Sequence, residues 1–226
     1  MPITAALPAA TESEGRLSER VYQSLLEAVL SGALAPGEVV SELSLAKAMK
    51  VSRTPVHDAV VQLTKDGLLR QEPNRRPVVA SFTADDVREV FEVRAVLEGE
   101  AAALAAPRID RPTLAELRAT ADRLDRQWGR AGWLDRWADF DEGFHAAVAR
   151  ACGNGRLCQE VTKYRTLHRG LNKTHTAADV LRPALAEHLR ILDALDRRDP
   201  DAARTAMTAH IREWQAFFVN RRTQET

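Results

Sequence analysis

The chain runs to 226 residues, enough for two modest domains, with 45% hydrophobic residues, 28% charged residues and few aromatics. Its 32 basic and 32 acidic side chains cancel, and no apolar run approaches the roughly 20 residues that a membrane-spanning helix needs. Sparse glycine beside plentiful Ala, Leu and Arg suits a mostly helical protein.

Residues 1–15 are small, polar and proline-containing, so they are expected to be disordered. They lack the basic n-region of a signal peptide, which places the chain in the cytoplasm as an expectation. A helix signal starts near Ser18, with Val21, Leu25, Val29 and Leu30 on one face, and stops at Ser31-Gly32. After the turn Ala35-Pro36-Gly37, a short helix covers Ser41–Lys50, capped by Ser41 or Ser44. A third opens with Ser52 as N-cap and Pro55 in its first turn, turns Val56, Val60 and Leu63 inward, and ends at Gly67. Leu68–Glu72 and Pro77–Ala80 read as two short strands around Pro73–Arg76. Residues 50–80 carry six basic side chains (Lys50, Arg53, Lys65, Arg70, Arg75, Arg76) against Asp58, Asp66 and Glu72, a local balance of +3.

Helix, helix, short turn, helix and two-stranded hairpin make a winged helix-turn-helix. Its third helix would present N-terminal residues to the major groove of double-stranded DNA, and its wing would lie along the backbone. Arg53 suits a bidentate contact to guanine, and Ser52 and Thr54 suit phosphate. Arg75 and Arg76 at the wing tip suit phosphate or the minor groove. His57 lies four residues after Arg53 on the same polar face. A winged helix used for protein contacts is the blander alternative.

From Thr83 onward only helical periodicity remains. Six helices are expected, at about 84–106, 112–131, 133–151, 155–172, 177–198 and 200–221, broken by Pro107–Pro112, Gly132, Gly153–Gly155, Lys173–Thr176 and Asp199-Pro200. Each has an apolar stripe, so the fold class is mostly α: a winged helix-turn-helix at 16–80 and an antiparallel helical bundle at 81–226. Cys152 and Cys158 flank a turn and read as free thiols rather than a disulfide. Trp128, Trp133, Trp137 and Trp214 read as core or dimer-interface packing.

Four bundle residues stand out. Asp141 and His145 share an edge with Leu134, Ala138 and Val148. His188 falls among Leu181, Leu185, Ile191, Leu192 and Leu195, and His210 among Ala203, Met207, Trp214 and Phe217. Any one such histidine is readily a hydrogen-bonded core residue. Three with an inward aspartate each need a private partner, or they share a divalent cation, for which imidazole and carboxylate are fitting ligands. Arg94 lies on the stripe Val87, Val90, Phe91, Leu97 and Ala101. It either pairs with Glu98 one turn later or grips a ligand carboxylate. Arg165 and His168 can line the same cavity, with a solvated or salt-bridged Arg165 as the alternative.

Ser-Glu-Leu, Leu-Ala, Val-Ser-Arg-Thr-Pro-Val and Asp-Gly-Leu-Leu within residues 17–80 resemble the N-terminal domain of GntR-family bacterial transcription regulators. That family usually has arginine at the position of His57 and a glycine-containing wing turn where this chain has Asn74-Arg75-Arg76. His57 is therefore expected to alter base preference or make DNA binding pH-sensitive. Val-Arg-Ala-Val-Leu-Glu, Asp-Glu-Gly-Phe-His, Glu-His and Ala-His-Ile resemble the FCD effector domain of the FadR subfamily, with six helices nearer its VanR-like branch. The resemblance implies a homodimeric regulator, commonly a repressor. It further implies a divalent ion, zinc or nickel, on Asp141, His145, His188 and His210, with open positions for a small carboxylate effector near Arg94. Two alternatives stay open: the metal itself is the signal, or the bundle is a metalloenzyme fused to a DNA-binding head, for which the sequence offers no further base or nucleophile.

Overall fold

The computed structural model describes residues 14–81, 83–171 and 178–224. The disorder expected for residues 1–15 lies outside the described residues up to residue 13, and Glu14 and Gly15 already belong to the first helix. The chain divides into two compact units, one of residues 1–82 and 169–173 and the other of residues 83–168 and 174–226.

In the first unit, α1 (Glu14–Leu30), α2 (Glu42–Met49) and α3 (Arg53–Lys65) precede β1 (Leu69–Arg70) and β2 (Val78–Val79). Ser41 caps α2 by accepting from Ser44 N, and Lys50 ends it in a left-handed conformation at φ 56°, which turns the chain into α3. Val21, Leu25 and Val29 of α1 meet Val56, Val60 and Leu63 of α3 in a core closed by Leu45, Met49, Leu68 and Leu69. Tyr22 Oη donates to Asp66 Oδ2 at 2.8 Å and ties the middle of α1 to the end of α3. The wing strands pair antiparallel, Leu69 with Val79 and Arg70 with Val78, and Val39 bridges to Val78. They are shorter than the sequence suggests, because Pro73 and Pro77 flank the turn without N–H donors for the ladder.

The second unit is built on α4 (Ala84–Ala105), α5 (Arg111–Arg126), α6 (Trp133–Ala151), α7 (Gly155–Leu171, as far as residue 168), α8 (Ala178–Asp196) and α9 (Pro200–Gln224). Thr83 and Asp86 start α4 with a reciprocal capping box, and Asp110 caps α5 by accepting from Thr113 N. The expectation that α5 runs to residue 131 is corrected to Arg126: Gly129 and Gly132 take φ of 71° and 70°, outside the helical region.

α4 lies along α9, α8 against α9 and α5, and α6 against α4 and α5. Gly99 permits the first of these contacts, because a Cβ there would fall on Thr208 Oγ1 of α9. A cluster of Ala101, Ala149, Cys152 and Val161 fills the space between α4, α6 and α7.

The expected inner edge of α6 is also corrected. Leu134 is 40% exposed and Ala138 is exposed, whereas Trp133, Trp137, Phe140 and Phe144 are buried. Burial follows the track with the larger apolar area. Trp133 and Trp137 stack at 5.8 Å and Trp128 meets Trp133 edge-on at 4.9 Å, so these three are packing residues. Cys152 and Cys158 are free thiols. On α9 the buried aromatic is Phe218 rather than Phe217.

Candidate metal centre and nucleic-acid interface

The side chains of His145, His188 and His210 are drawn together from α6, α8 and α9, with Asp141 one turn before His145. One ligand atom from each of the four lies within 4.8 Å of the others. All three histidines are buried, and Asp141 keeps a partly exposed side chain. Asp141 Oδ1 is 3.3 Å from His188 Nε2 and 3.6 Å from His145 Nε2. The His188 ring stands 4.5 Å from that of His210 and 4.5 Å from that of Phe144, with Trp137 and Phe140 completing an aromatic wall.

The other nitrogen of each ring is held from behind. His188 Nδ1 donates to the Ala184 carbonyl at 2.7 Å, and His210 Nδ1 donates to Glu187 Oε2 at 2.7 Å. His145 Nδ1 lies against Glu98 Oε2. An acceptor on Nδ1 places the proton there and leaves Nε2 with a lone pair. Nε2 of His145 and of His188 are buried and make no hydrogen bond. Orphaned, lone-pair-bearing nitrogens facing a carboxylate fit a borderline divalent cation.

Burial lowers the pKa of His188. His210 is held well below its ordinary value by burial and by the neighbouring His188 and His145. Both effects favour the neutral form that ligates. Burial works to raise the pKa of Asp141, but the Arg165 guanidinium and the His145 and His188 side chains outweigh it and keep the carboxylate ionised.

Arg165 of α7 is itself buried. Its Nη2 donates to Asp141 Oδ2 at 2.7 Å and to Glu142 Oε2 at 3.1 Å, while Nε and Nη1 are buried without a hydrogen-bond partner. Arg165 is thus salt-bridged through Nη2, with two further donors left over. Arg94 lies nearby, its Nε donating to Glu98 Oε1 at 2.7 Å and its guanidinium 5.0 Å from the Phe91 ring centre. The Arg94–Glu98 pair is therefore present, and through Glu98 it reaches His145. His168 packs edge-on against Phe91 at 4.9 Å and is kept well below the usual histidine pKa by burial and by Arg94 and Arg165. Glu187 went unnoticed in sequence because its partner His210 lies 23 residues away on another helix.

In the first unit, Ser52, Arg53, Thr54 and His57 are all exposed at the start of α3, and Arg75 and Arg76 are exposed on the wing turn. Ser52 occupies the N-cap position of α3, but its hydroxyl makes no cap hydrogen bond. Arg75 Nε pairs with Glu72 Oε2 at 3.1 Å. His57 Nδ1 contacts Glu42 Oε1 at 2.9 Å, and Arg53 Nη2 lies 3.8 Å from the other oxygen of Glu42. Sequence reading did not single out Glu42.

Residues 17–79 match the model of bacterial regulatory proteins of the gntR family, and residues 89–213 match the FCD domain. The chain belongs to the GntR family of bacterial regulatory proteins. This GntR protein is 33% identical to an HTH-type transcriptional regulator in an unstable DNA locus of Streptomyces ambofaciens, over 89% of this chain and 85% of the relative. It is 26% identical to the HTH-type transcriptional repressor RspR of Escherichia coli K12, over 87% of this chain and 86% of RspR. Its fold is similar to that of E. coli McbR/YncC, with a TM-score of 0.76 at 21% identity, covering 93% of this chain and 99% of that one. Family and relatives identify a DNA-binding transcriptional regulator rather than an enzyme.

Proposed function

We propose that this GntR regulator senses a small carboxylate at a divalent cation held by Asp141, His145, His188 and His210, and that occupancy of this site sets operator affinity. The observation that carries the reading is the convergence of four ligand atoms within 4.8 Å inside a buried bundle. Zinc and nickel both suit the donor set. When bound, the cation supplies Lewis-acidic positions for an anionic oxygen. Arg165 supports the carboxylate, because a buried guanidinium with Nε and Nη1 unpaired favours an oxyanion partner. His168 and Arg94 extend the same wall, the latter already partnered by Glu98.

A single winged helix reads too few base pairs for specificity, so the regulator acts as a homodimer on a two-fold symmetric operator. Arg53 and His57 meet base edges, while Ser52, Thr54, Arg75 and Arg76 hold phosphate or the minor groove. The proposed direction is repression, the role of the relative RspR. The domain assignment carried with this reading is 16–80 for DNA binding and 81–226 for effector binding and dimerisation, with action in the cytoplasm.

The test uses full-length protein stripped with a chelator and reloaded with zinc or nickel, and a duplex selected from a randomised library. Fluorescence anisotropy then follows DNA binding as citrate or malate is added. The expected result is at least about a fivefold change in DNA affinity, seen only in metal-loaded protein. Metal alone producing the whole effect would make the ion the signal. DNA affinity indifferent to metal and organic acids alike would overturn the sensing role.

A further inference from the structure

α2 and α3 meet through Glu42 and His57, whose side chains approach to 2.9 Å. We propose that Glu42 fixes the tautomer of His57 so that this histidine selects an amino-bearing base, adenine or cytosine, in the major groove. The inference rests on the reading of α3 as the helix that enters that groove.

Glu42 is the first residue of α2, and His57 sits in the second turn of α3. The Glu42 side chain is 22% exposed, whereas those of His57 and Arg53 are 60% and 71% exposed. The carboxylate thus lies behind two side chains that remain open to solvent. An ionised carboxylate only accepts, so the 2.9 Å contact with Oε1 assigns the ring proton to Nδ1. In the neutral ring Nε2 then carries a lone pair, and among the described residues it has no hydrogen-bond partner.

The major-groove edges of guanine and thymine offer hydrogen-bond acceptors only. Adenine offers its N6 amino group and cytosine its N4 amino group as donors. An acceptor at Nε2 therefore matches adenine or cytosine and is repelled by the other two bases. Arginine at this position would do the reverse, because a guanidinium only donates and pairs with guanine O6 and N7. A histidine backed by a carboxylate thus inverts the hydrogen-bond polarity that an arginine would have. A carboxylate close to a polyanion costs affinity, so what Glu42 contributes is orientation. Its second oxygen faces Arg53 Nη2 at 3.8 Å and steers the neighbouring reader as well. Glu42 is in this sense a positioning residue.

The experiment is selection from duplexes with a randomised core by the full-length protein at mildly alkaline pH, followed by sequencing, for wild type, His57→Arg and Glu42→Gln. His57 is exposed, so the first variant leaves the core of the unit untouched. Wild type is expected to enrich a two-fold motif with adenine or cytosine at one position of each half-site. Changing that base to guanine or thymine should weaken binding roughly tenfold. His57→Arg should convert this position to guanine and leave most other positions alone. Glu42→Gln should flatten the preference there, because an amide can donate to Nδ1 and release the opposite tautomer. Motifs unchanged in both variants would overturn the inference, as would wild-type enrichment of guanine or thymine at the position that His57→Arg alters. A library that yields no motif in any variant would instead defeat the DNA-reading assignment of α3 and carry this inference down with it.

Discussion

Glu187 is not itself a proposed ligand and yet should control metal affinity, through His210. Its Oε2 accepts from His210 Nδ1 at 2.7 Å and from Trp214 Nε1 at 3.2 Å, which fixes the orientation of the imidazole and raises its basicity. Removing such an outer partner typically costs 10–100-fold in metal affinity. Glu187→Gln retains an acceptor oxygen but loses the charge, so about tenfold is expected; Glu187→Ala loses both, so about a hundredfold. With free metal at 100 times the wild-type Kd, binding stabilises the folded bundle by about 2.7 kcal/mol. By the same relation a tenfold weaker site keeps about 1.4 kcal/mol and a hundredfold weaker one about 0.4 kcal/mol. At roughly 2–4 °C per kcal/mol for a unit of this size, the metal-induced shift in Tm should fall by about 3–5 °C in the Gln variant and about 5–9 °C in the Ala variant. Metal competition against a chromophoric chelator gives Kd directly, and circular dichroism checks that helicity is intact. Wild-type affinity in both variants, with helicity preserved, would refute the assignment of His210 as a ligand held through Nδ1.

Arg165→Met should abolish the response of DNA affinity to citrate or malate, because the unpaired Nε and Nη1 donors disappear with the guanidinium. The same change leaves Asp141 without its cation, so chelated protein should lose about 3 kcal/mol in denaturant unfolding and metal should restore much of it. Gly99→Ala places a methyl group on Thr208 Oγ1 between α4 and α9 and should cost roughly 1–3 kcal/mol, read from the denaturation midpoint. His168 is held well below the usual histidine range, by burial first and then by Arg94 and Arg165. The unfolded chain therefore binds a proton there that the folded bundle refuses. Stability contributed by this site is complete above about pH 6.5 and is lost as the pH falls below it, by up to about 1.36 kcal/mol per pH unit. Replacing His168 with Gln should remove one proton's worth of that slope in chelated protein, and an unchanged slope would show that His168 is not buried as a neutral ring.

Among the described residues, the helices of the bundle were legible because proline, glycine and apolar periodicity act locally; the expected break at Lys173–Thr176 lies outside those residues. Pro200, read as part of a break, stands at the first position of α9 as a proline there should. The approximate position of the metal candidates was legible for the same reason, since a polar residue interrupting an apolar stripe is conspicuous wherever it points. Two kinds of information were hidden. In α6 Leu134 and Ala138 lie on one edge and Trp133 and Trp137 on the adjacent one, and periodicity alone does not say which pair meets α4 and α5. Only packing against those helices settles it, in favour of the larger aromatic faces. The partners of the candidate ligands were hidden too, because Glu98, Ala184 and Glu187 gain their roles from contacts between helices or from a backbone carbonyl.

These hidden partners decide what the cluster can do. Had the three imidazoles directed their Nδ1 protons at one another, the cluster would be a self-satisfied core with no lone pair to offer. Instead, His188 and His210 each direct Nδ1 outward to a carbonyl or carboxylate, and His145 lies against Glu98, so unpaired Nε2 atoms are left turned inward. Asp141 divides itself in the same way. Its Oδ2 is engaged by Arg165 while Oδ1 faces the histidines. A cation taken up by Oδ1 and the Nε2 atoms therefore need not break the Arg165 pair, and the guanidinium stays in place with Nε and Nη1 open. On the proposed reading, the cation would use one oxygen of Asp141 while Arg165, the oxyanion's proposed partner, keeps the other. Neither demands the other's contacts, and each adds charge that favours the other. That arrangement supports an anion sensor assembled on a cation more directly than it supports a site whose only ligand is the ion.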